Sequence, residues 1–232
     1  RIATVSFYSK EDITRSFKVD YDKIDVVYDG INQIFEPISE AEKVGIREKY
    51  TEGAPYFLFV GALHPRKNVS GLLKAFDAFK SVDSGNIKLV VVGGEMHKTG
   101  DIFDTYENMR YKNDVVFTGR VSTTELHYIF GAALALTFVP FFEGFGIPVV
   151  EAMSAGIPVI CSNITSVPEV GGNAVMYADP LKVEQITNAM IKMSADAELR
   201  KSLVEKGFVQ KKKFSWNETA RLLWMSVERA LQ

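Results

Sequence analysis

After its first fifty residues the chain is built from short apolar runs separated by segments of helical periodicity or by glycine-bearing loops. The runs are Tyr56–Val60, Ile87–Val92, Val115–Thr118, Leu134–Val139 and Pro158–Cys161. They are continuous rather than alternating and rich in β-branched residues, the pattern of strands covered on both faces. Val69–Lys80, Thr123–Gly131 and Pro148–Ala155 read as helices, with Asn68 and Ser122 as N-caps of the first two. Strand and helix in alternation predict an α/β chain with a Rossmann-like, doubly wound parallel sheet. The C-terminal part reads as extra helices: Leu181–Ser194, Ala197–Lys213 and a last segment from Ser215, where Ser215 and Glu218 have capping-box spacing. Near the N-terminus a brief helix is expected from Ser9 through Phe17. A strand at Lys23–Tyr28 and a turn at Asp29-Gly30 should follow it.

In open sheets of this kind, ligands bind outside the carboxyl ends of the strands. Four loops fall there: Gly61 to Asn68, Gly93-Gly94-Glu95, Gly119-Arg120-Val121, and Phe141 to Ile147. In the first, Arg66 and Lys67 stand beside a helix N-terminus, where a diphosphate meets cations and backbone donors together. The fourth carries Glu143, and the helix behind it opens at Pro148, carries Glu151 and stops at Gly156. The amides of this turn, around Gly144, Phe145, Gly146 and Ile147, lie at the positive end of that helix and suit an anion. Carboxylates repel phosphate, so Glu143 and Glu151 are expected to accept hydrogen bonds from hydroxyls on either side of it. A ligand with sugar hydroxyls flanking a phosphate group fits that layout. Gly93, Gly94 and Gly119 read equally well as plain turn glycines, while Arg120 and Val121 are candidates to line a base pocket.

Composition removes several alternatives. The 232 residues permit one large domain or two small ones. With 27 Lys+Arg against 29 Asp+Glu there is no basic field for nucleic acid, so phosphate affinity has to be local. Lys211-Lys212-Lys213 reads as a solvated helix end. The one cysteine, Cys161, lies in an apolar run and reads as a buried core thiol; it excludes a disulfide within the chain and fits a reducing, cytoplasmic compartment. His64, His97 and His127 have no cysteine or carboxylate at metal-ligand spacing, so no metal is expected. Neither a G-x-S-x-G elbow nor a G-x-x-x-x-G-K-S/T loop occurs. No apolar stretch approaches a membrane span, so no integral membrane segment is expected. Arg1 in place of an initiator Met points to a segment of a longer chain.

Taken together, VSFYSKEDI, KIDVVYDGIN, FVGALHPRKN, VVFTGRV, EGFGIPVVEAMSAGIPVI with PEVGGNA, and FSWNETA resemble the second half of retaining GT-B glycosyltransferases of family 4. Many bacterial mannosyl- and glucosyltransferases belong to that family. The E-x7-E pair Glu143 and Glu151, downstream of PRKN, carries most of the resemblance. It implies a nucleotide-diphosphate-sugar donor, UDP- or GDP-linked, held between two Rossmann-like domains, with no separate cofactor and no metal. Transfer of a hexose of mannose or glucose type would retain anomeric configuration.

By the same resemblance, Lys67 and Arg66 neutralise the diphosphate, and amides at Phe145, Gly146 and Ile147 contact donor sugar or phosphate. Glu151 holds the ribose hydroxyls and Glu143 the sugar near the reacting carbon, with Gly61 in the same pocket. Residues 1–22 are then a remnant of an N-terminal acceptor domain and linker. Residues 23–214 are the donor domain, and residues 215–232 a helix packing back toward the missing half. That half would bind an acceptor glycan or lipid-linked sugar, and the full-length protein has room for peripheral membrane association. Many relatives carry Arg where this chain has Ala62, which leaves Arg66 as the substitute cation. Other GT-B enzymes, such as a phosphorylase or an epimerase, and a non-catalytic nucleotide-sugar-binding module are the alternatives.

Overall fold

Tyr56, Phe57, Leu58 and Phe59 are all fully buried, and no strand so enclosed can sit at a sheet edge. In the computed structural model, which describes residues 1–83, 85–95 and 99–231, this strand is central. The elements in chain order are β1 (Ile2–Thr4), α1 (Phe7–Phe17), β2 (Ile24–Val26), α2 (Glu40–Thr51), β3 (Tyr56–Val60) and α3 (Val69–Val82). They continue as β4 (Lys88–Val92), α4 (Gly100–Glu107), β5 (Val115–Gly119), α5 (Thr123–Ala132), β6 (Ala135–Phe138) and α6 (Ile147–Ser154). The last are β7 (Val159–Ser162), α7 (Val167–Gly171), β8 (Met176–Ala178), α8 (Val183–Ala195), α9 (Ala197–Gln210) and α10 (Trp216–Ala230).

Six strands form one sheet in the order β5-β4-β3-β6-β7-β8, every neighbouring pair parallel. Chain direction across the sheet reverses between β3 and β6. Loops leaving those two strands diverge to opposite faces and open a crevice between them, the place where this topology binds ligands. Helices cover both faces, and each large side chain they bury stabilises the fold by about 1.5–3 kcal/mol. Phe79 of α3, for example, meets Phe57 edge-on at 5.4 Å between ring centroids. This is the Rossmann-like architecture the apolar runs predict.

All five apolar runs are strands, Tyr56–Val60 with the expected ends and the other four with ends displaced by one residue. Several expectations are corrected. Asn68 does not cap α3 through its side chain; it adopts the left-handed conformation and sends its amide elsewhere. Ser122 caps α5 as expected. At Ser215 only half of the capping box forms: the hydroxyl accepts from the Glu218 N–H at 3.2 Å, but the Glu218 carboxylate is taken by Arg221. The complete box is at Ser39 and Glu42, opening the charged helix α2, which apolar periodicity does not reveal. β2 is shorter than Lys23–Tyr28, and Asp29-Gly30 forms no assigned turn. Gly30 serves a different purpose: a Cβ there would lie 2.4 Å from the Trp216 backbone nitrogen, so glycine lets α10 start against this segment.

The N-terminal residues and α10 share one corner of the molecule. β1 and β2 pair in parallel as a separate two-stranded sheet. Asp25 of β2 accepts from Arg1, from Ser226 at 2.7 Å and from Arg229 at 2.6 Å. The Arg1 guanidinium, helped by Ser226 and Arg229, holds the Asp25 carboxyl well below the usual range. α8 lies along α3, where Thr187 donates to the Ala75 carbonyl at 3.2 Å. Cys161 is fully buried in β7, as expected, and burial pushes its thiol up. Among the described residues no helix is long and apolar enough to cross a membrane.

Candidate functional site

Two turns meet in the crevice. The basic turn leaves β3 as Gly61 to Asn68, with Pro65–Lys67 wound into a single 3-10 turn. His64 caps that turn, its Nδ1 accepting from the Arg66 N–H at 3.1 Å. The acidic turn leaves β6 as Val139 to Gly146. Their backbones are joined directly, the Phe141 N–H donating to the Arg66 carbonyl at 2.9 Å. Asn68, 3% exposed, clamps the joint by donating to the carbonyls of Val139 (3.0 Å) and Pro180 (2.9 Å). The αL backbone of Asn68 (φ 56°) lets one side chain reach both carbonyls, and asparagine tolerates that conformation better than most residues.

Side chains complete the contact. The Lys67 ammonium binds Glu143 Oε2, and Arg66 reaches the same oxygen at 3.4 Å while donating to the Phe142 carbonyl at 3.1 Å. Lys67 also lies 5.1 Å from the centre of the Phe138 ring. The lysine and glutamate side chains are only 12% and 16% exposed, against 41% for Arg66. Residues seventy-six apart in sequence therefore form one half-buried, net-positive cluster.

Glu151 lies one turn into α6, which opens from the same acidic turn at Gly146 (φ 118°). Among the described residues its carboxylate has no side-chain partner, and burial alone pushes its pKa up to about 7. An unpaired, desolvated carboxylate of this kind is a mark of functional sites. Among the described residues no hydrogen bond within the chain occupies the N–H of Phe145, Gly146 or Ile147. Pro148 has none to offer. These amides remain available at the positive end of α6. The Phe145 ring faces the core against Tyr28 and Phe214, so its contribution to the crevice is backbone only. Ile147 is exposed.

The remaining predicted residues line the rim beside β3. A Cβ on Gly61 would lie 3.8 Å from Lys67 Cε, so this glycine adjoins the ammonium stem. A Cβ on Gly93 would be 1.8 Å from the Gly61 carbonyl oxygen; glycine is required there by close backbone approach, beyond any turn preference. The Leu63 N–H donates to the Gly94 carbonyl at 3.0 Å, continuing the β3–β4 pairing past the sheet edge. Arg120 lies over Gly94, whose absent side chain makes room for its guanidinium, and Val121 is half-buried against the core. The rim thus runs from Arg120 through Gly94 and Gly61 to Lys67 and Glu143.

Sequence reasoning missed the residues that hold the acidic turn. The Ser166 hydroxyl lies within hydrogen-bond distance of the carbonyls of Glu143 (2.8 Å) and Phe145 (3.0 Å) and shares its one proton between them. Ser6 and Ser9, at the start of α1, donate to the Gly144 carbonyl at 2.7 and 3.2 Å. Glu169 in α7 in turn accepts from the N–H groups of Phe7 (2.8 Å) and Tyr8 (2.7 Å), fastening α1 in place. Tyr28 joins that carboxylate at 3.3 Å, and burial with the nearby Glu169 charge pushes its phenol up to about 12. Their partners are up to 162 residues away, so no spacing rule reveals them; Glu169 was visible only as part of PEVGGNA. Among the described residues no three His, Cys, Asp or Glu side chains cluster as metal ligands, and His97 lies outside those residues.

Comparisons with known proteins agree on the family. Residues 42–210 match the model for glycosyl transferases group 1. The O-antigen chain mannosyltransferase B of Escherichia coli is 33% identical over 93% of this chain and 57% of its own length. Another Escherichia coli relative, the serotype-specific mannosyltransferase WbdA, is 26% identical over 100% of the chain and 29% of its own length. The chain thus spans about half, or less, of the curated relatives it matches. Anabaena Alr3699/HepE, solved with UDP and glucose, superposes with a TM-score of 0.85 at 15% identity, over 99% of this chain and 62% of that one. With most of its length inside the family model and the crevice of its sheet lined as described, the chain belongs to the glycosyl transferases group 1 family.

Proposed function

We propose that the chain is the donor-binding part of a glycosyltransferase that moves a hexose from a nucleotide-diphosphate sugar to an acceptor hydroxyl with retention. The observation that carries this reading is the meeting of Lys67 and Arg66 with Glu143 at the β3/β6 crevice, beside the free amides that open α6. In this reading Lys67 and Arg66 take the diphosphate, the Phe145 to Ile147 amides take donor sugar or phosphate, Glu143 the sugar and Glu151 the ribose hydroxyls. Gly61, Arg120 and Val121 bound the nucleoside end. Departure of a nucleoside diphosphate gathers charge on its phosphate oxygens, so preorganised cations and amides act mainly in the transition state. Lys67 and Arg66 bear on the leaving group, and the half-buried setting of Lys67 strengthens its attraction relative to bulk water.

The mannosyltransferase relatives support a hexosyl donor, and the HepE complex, named for UDP and glucose, supports a nucleotide-linked one. The acceptor, a glycan or lipid-linked sugar, would be bound mainly by an N-terminal domain. Residues 1–22 and 215–232 then face that domain. The exposed Trp216, Leu223, Trp224 and Val227 of α10 support this arrangement, being an apolar face with no cover among the described residues. On its own the chain would bind donor weakly and transfer little or nothing, working in a cytoplasmic setting without a metal or separate cofactor. Calorimetric titration with UDP-, GDP- and ADP-sugars tests the reading. One class should bind to the parent chain and much more weakly to Lys67→Ala. Absence of binding by all three would overturn it.

A further inference from the structure

The ion pair at the centre of the site raises a difficulty whose resolution assigns Glu143 a second role. Lys67 and Arg66 are the cations assigned to the diphosphate in the donor-binding reading, yet both are engaged by one carboxylate oxygen of Glu143. Two cations less one carboxylate leave a net single positive charge where a diphosphate has to bind. The acidic turn cannot simply retreat. Ser166 shares its one hydroxyl proton between the carbonyls of Glu143 and Phe145, and Ser6 and Ser9 hold that of Gly144, so the backbone around Glu143 is tied down. What can move is the Glu143 side chain, which has rotamers to spare on a fixed backbone.

We propose that Glu143 is a built-in stand-in for phosphate: it occupies the cations of the free site and leaves them only when a ligand supplies both a diphosphate and sugar hydroxyls. The inference rests on the donor-binding reading above and adds to it a basis for telling donor from product. A nucleotide sugar displaces the carboxylate from Lys67 and offers it hydroxyl donors in exchange. A nucleoside diphosphate without sugar displaces it and offers nothing, leaving a half-buried carboxylate beside phosphate with its lone pairs unmet, which is unfavourable on both counts. Glu143 therefore weakens the product complex selectively. After transfer it returns to Lys67 as the diphosphate departs.

The test is titration of the full chain and of Glu143→Gln with UDP, GDP and inorganic pyrophosphate, beside UDP-glucose and GDP-mannose. Glutamine keeps the size of the side chain and an acceptor for Lys67 but removes the charge. Glu143→Gln should bind the preferred nucleoside diphosphate, and pyrophosphate, about tenfold more tightly than the parent. Its affinity for the matching nucleotide sugar should stay within about threefold or fall. In a Lys67→Ala background the same substitution should gain less than about twofold, because no ammonium remains to be released. Glu143→Ser carries the same expectations and guards against a folding defect peculiar to one variant.

Unchanged or weaker diphosphate binding by both neutral variants overturns the proposal. A tenfold gain that persists without Lys67 overturns it too, since that result means plain repulsion with no exchange of partners. A parent chain that binds none of the nucleotides removes the donor-binding reading, and this inference with it. A parent that binds donor through Lys67 while neutral variants gain nothing removes this inference alone.

Discussion

The basic and acidic turns do similar work from opposite sides of one crevice, and they are held by different means. Asn68 clamps the basic turn across the switch point to Val139 and Pro180, so its support comes from the segments just beyond the carboxyl ends of β6 and β8. The acidic turn hangs on hydroxyls from outside: Ser166 ahead of α7, and Ser6 and Ser9 of α1, itself fastened by Glu169. Half of the site is thus a property of the Rossmann-like core. The other half depends on a helix that begins at Phe7 and rests on β1 and β2, the strands that Asp25 ties to α10. Anything that shifts that corner reaches Glu143 before it reaches Lys67.

The comparison breaks most visibly at Asn68. Asn68→Ala leaves two buried carbonyls unpaired and puts alanine at a positive φ, so we expect a loss of about 3–4 kcal/mol, read from the urea midpoint. An equal loss from Ser6→Ala would mean that the two turns are not anchored differently after all.

Glu151→Gln is the next largest. The Glu151 carboxyl titrates near 7 in the folded chain, above its ordinary 4.5. Between those values the native state holds a proton that the unfolded state has lost, so stability falls as pH rises through the window and levels off above it. Neutral glutamine escapes this. The variant should be more stable than the parent by about 2–3 kcal/mol at pH 8 and equal to it at pH 4.5, by thermal or urea unfolding. If the ionised form receives the ribose, donor affinity of the parent should drop as pH falls below 7, and the variant should lose that dependence.

On the basic side, Lys67→Ala in the full-length enzyme should lower kcat/KM by about ten- to a hundredfold, with charge-assisted bonds worth roughly 1.5–3 kcal/mol. Wild-type turnover would contradict its assigned role. The smallest effect sharpens the contrast: Ser166→Ala should cost about 1–2 kcal/mol of stability. It should also lower kcat more than it raises KM, because Glu143 loses its register while Lys67 does not. Proportional effects on both parameters would place Ser166 in the fold alone.

Legibility in the sequence followed the range of the forces involved. The runs Tyr56–Val60 and Leu134–Val139 announce buried strands because burial on both faces demands continuous apolar residues, and the loops behind them follow from the topology. Lys67, Glu143 and Glu151 could be picked out because charge beside a helix start is a local pattern. The helix α2 was missed because it has no apolar stripe, although Ser39 and Glu42 carry the same capping-box spacing as Ser215 and Glu218. Gly30 and Gly93 looked like turn residues, and their reason is the backbone of a distant segment. Asn68 reads as an N-cap by its place before Val69, but burial gave its amide better partners across the crevice.

By itself, then, the sequence determined the alternating architecture, the loops that would line its rim and the charges they carry, because periodicity and helix-end chemistry act over a few residues. Tertiary structure alone decided that Lys67 would pair with Glu143, that Glu151 would lack a side-chain partner among the described residues, and that serines from α1 and the α7 entry would hold the acidic turn. Those outcomes depend on hydrogen bonds and burial between segments far apart along the chain. Only closure of the parallel sheet brings such groups within reach.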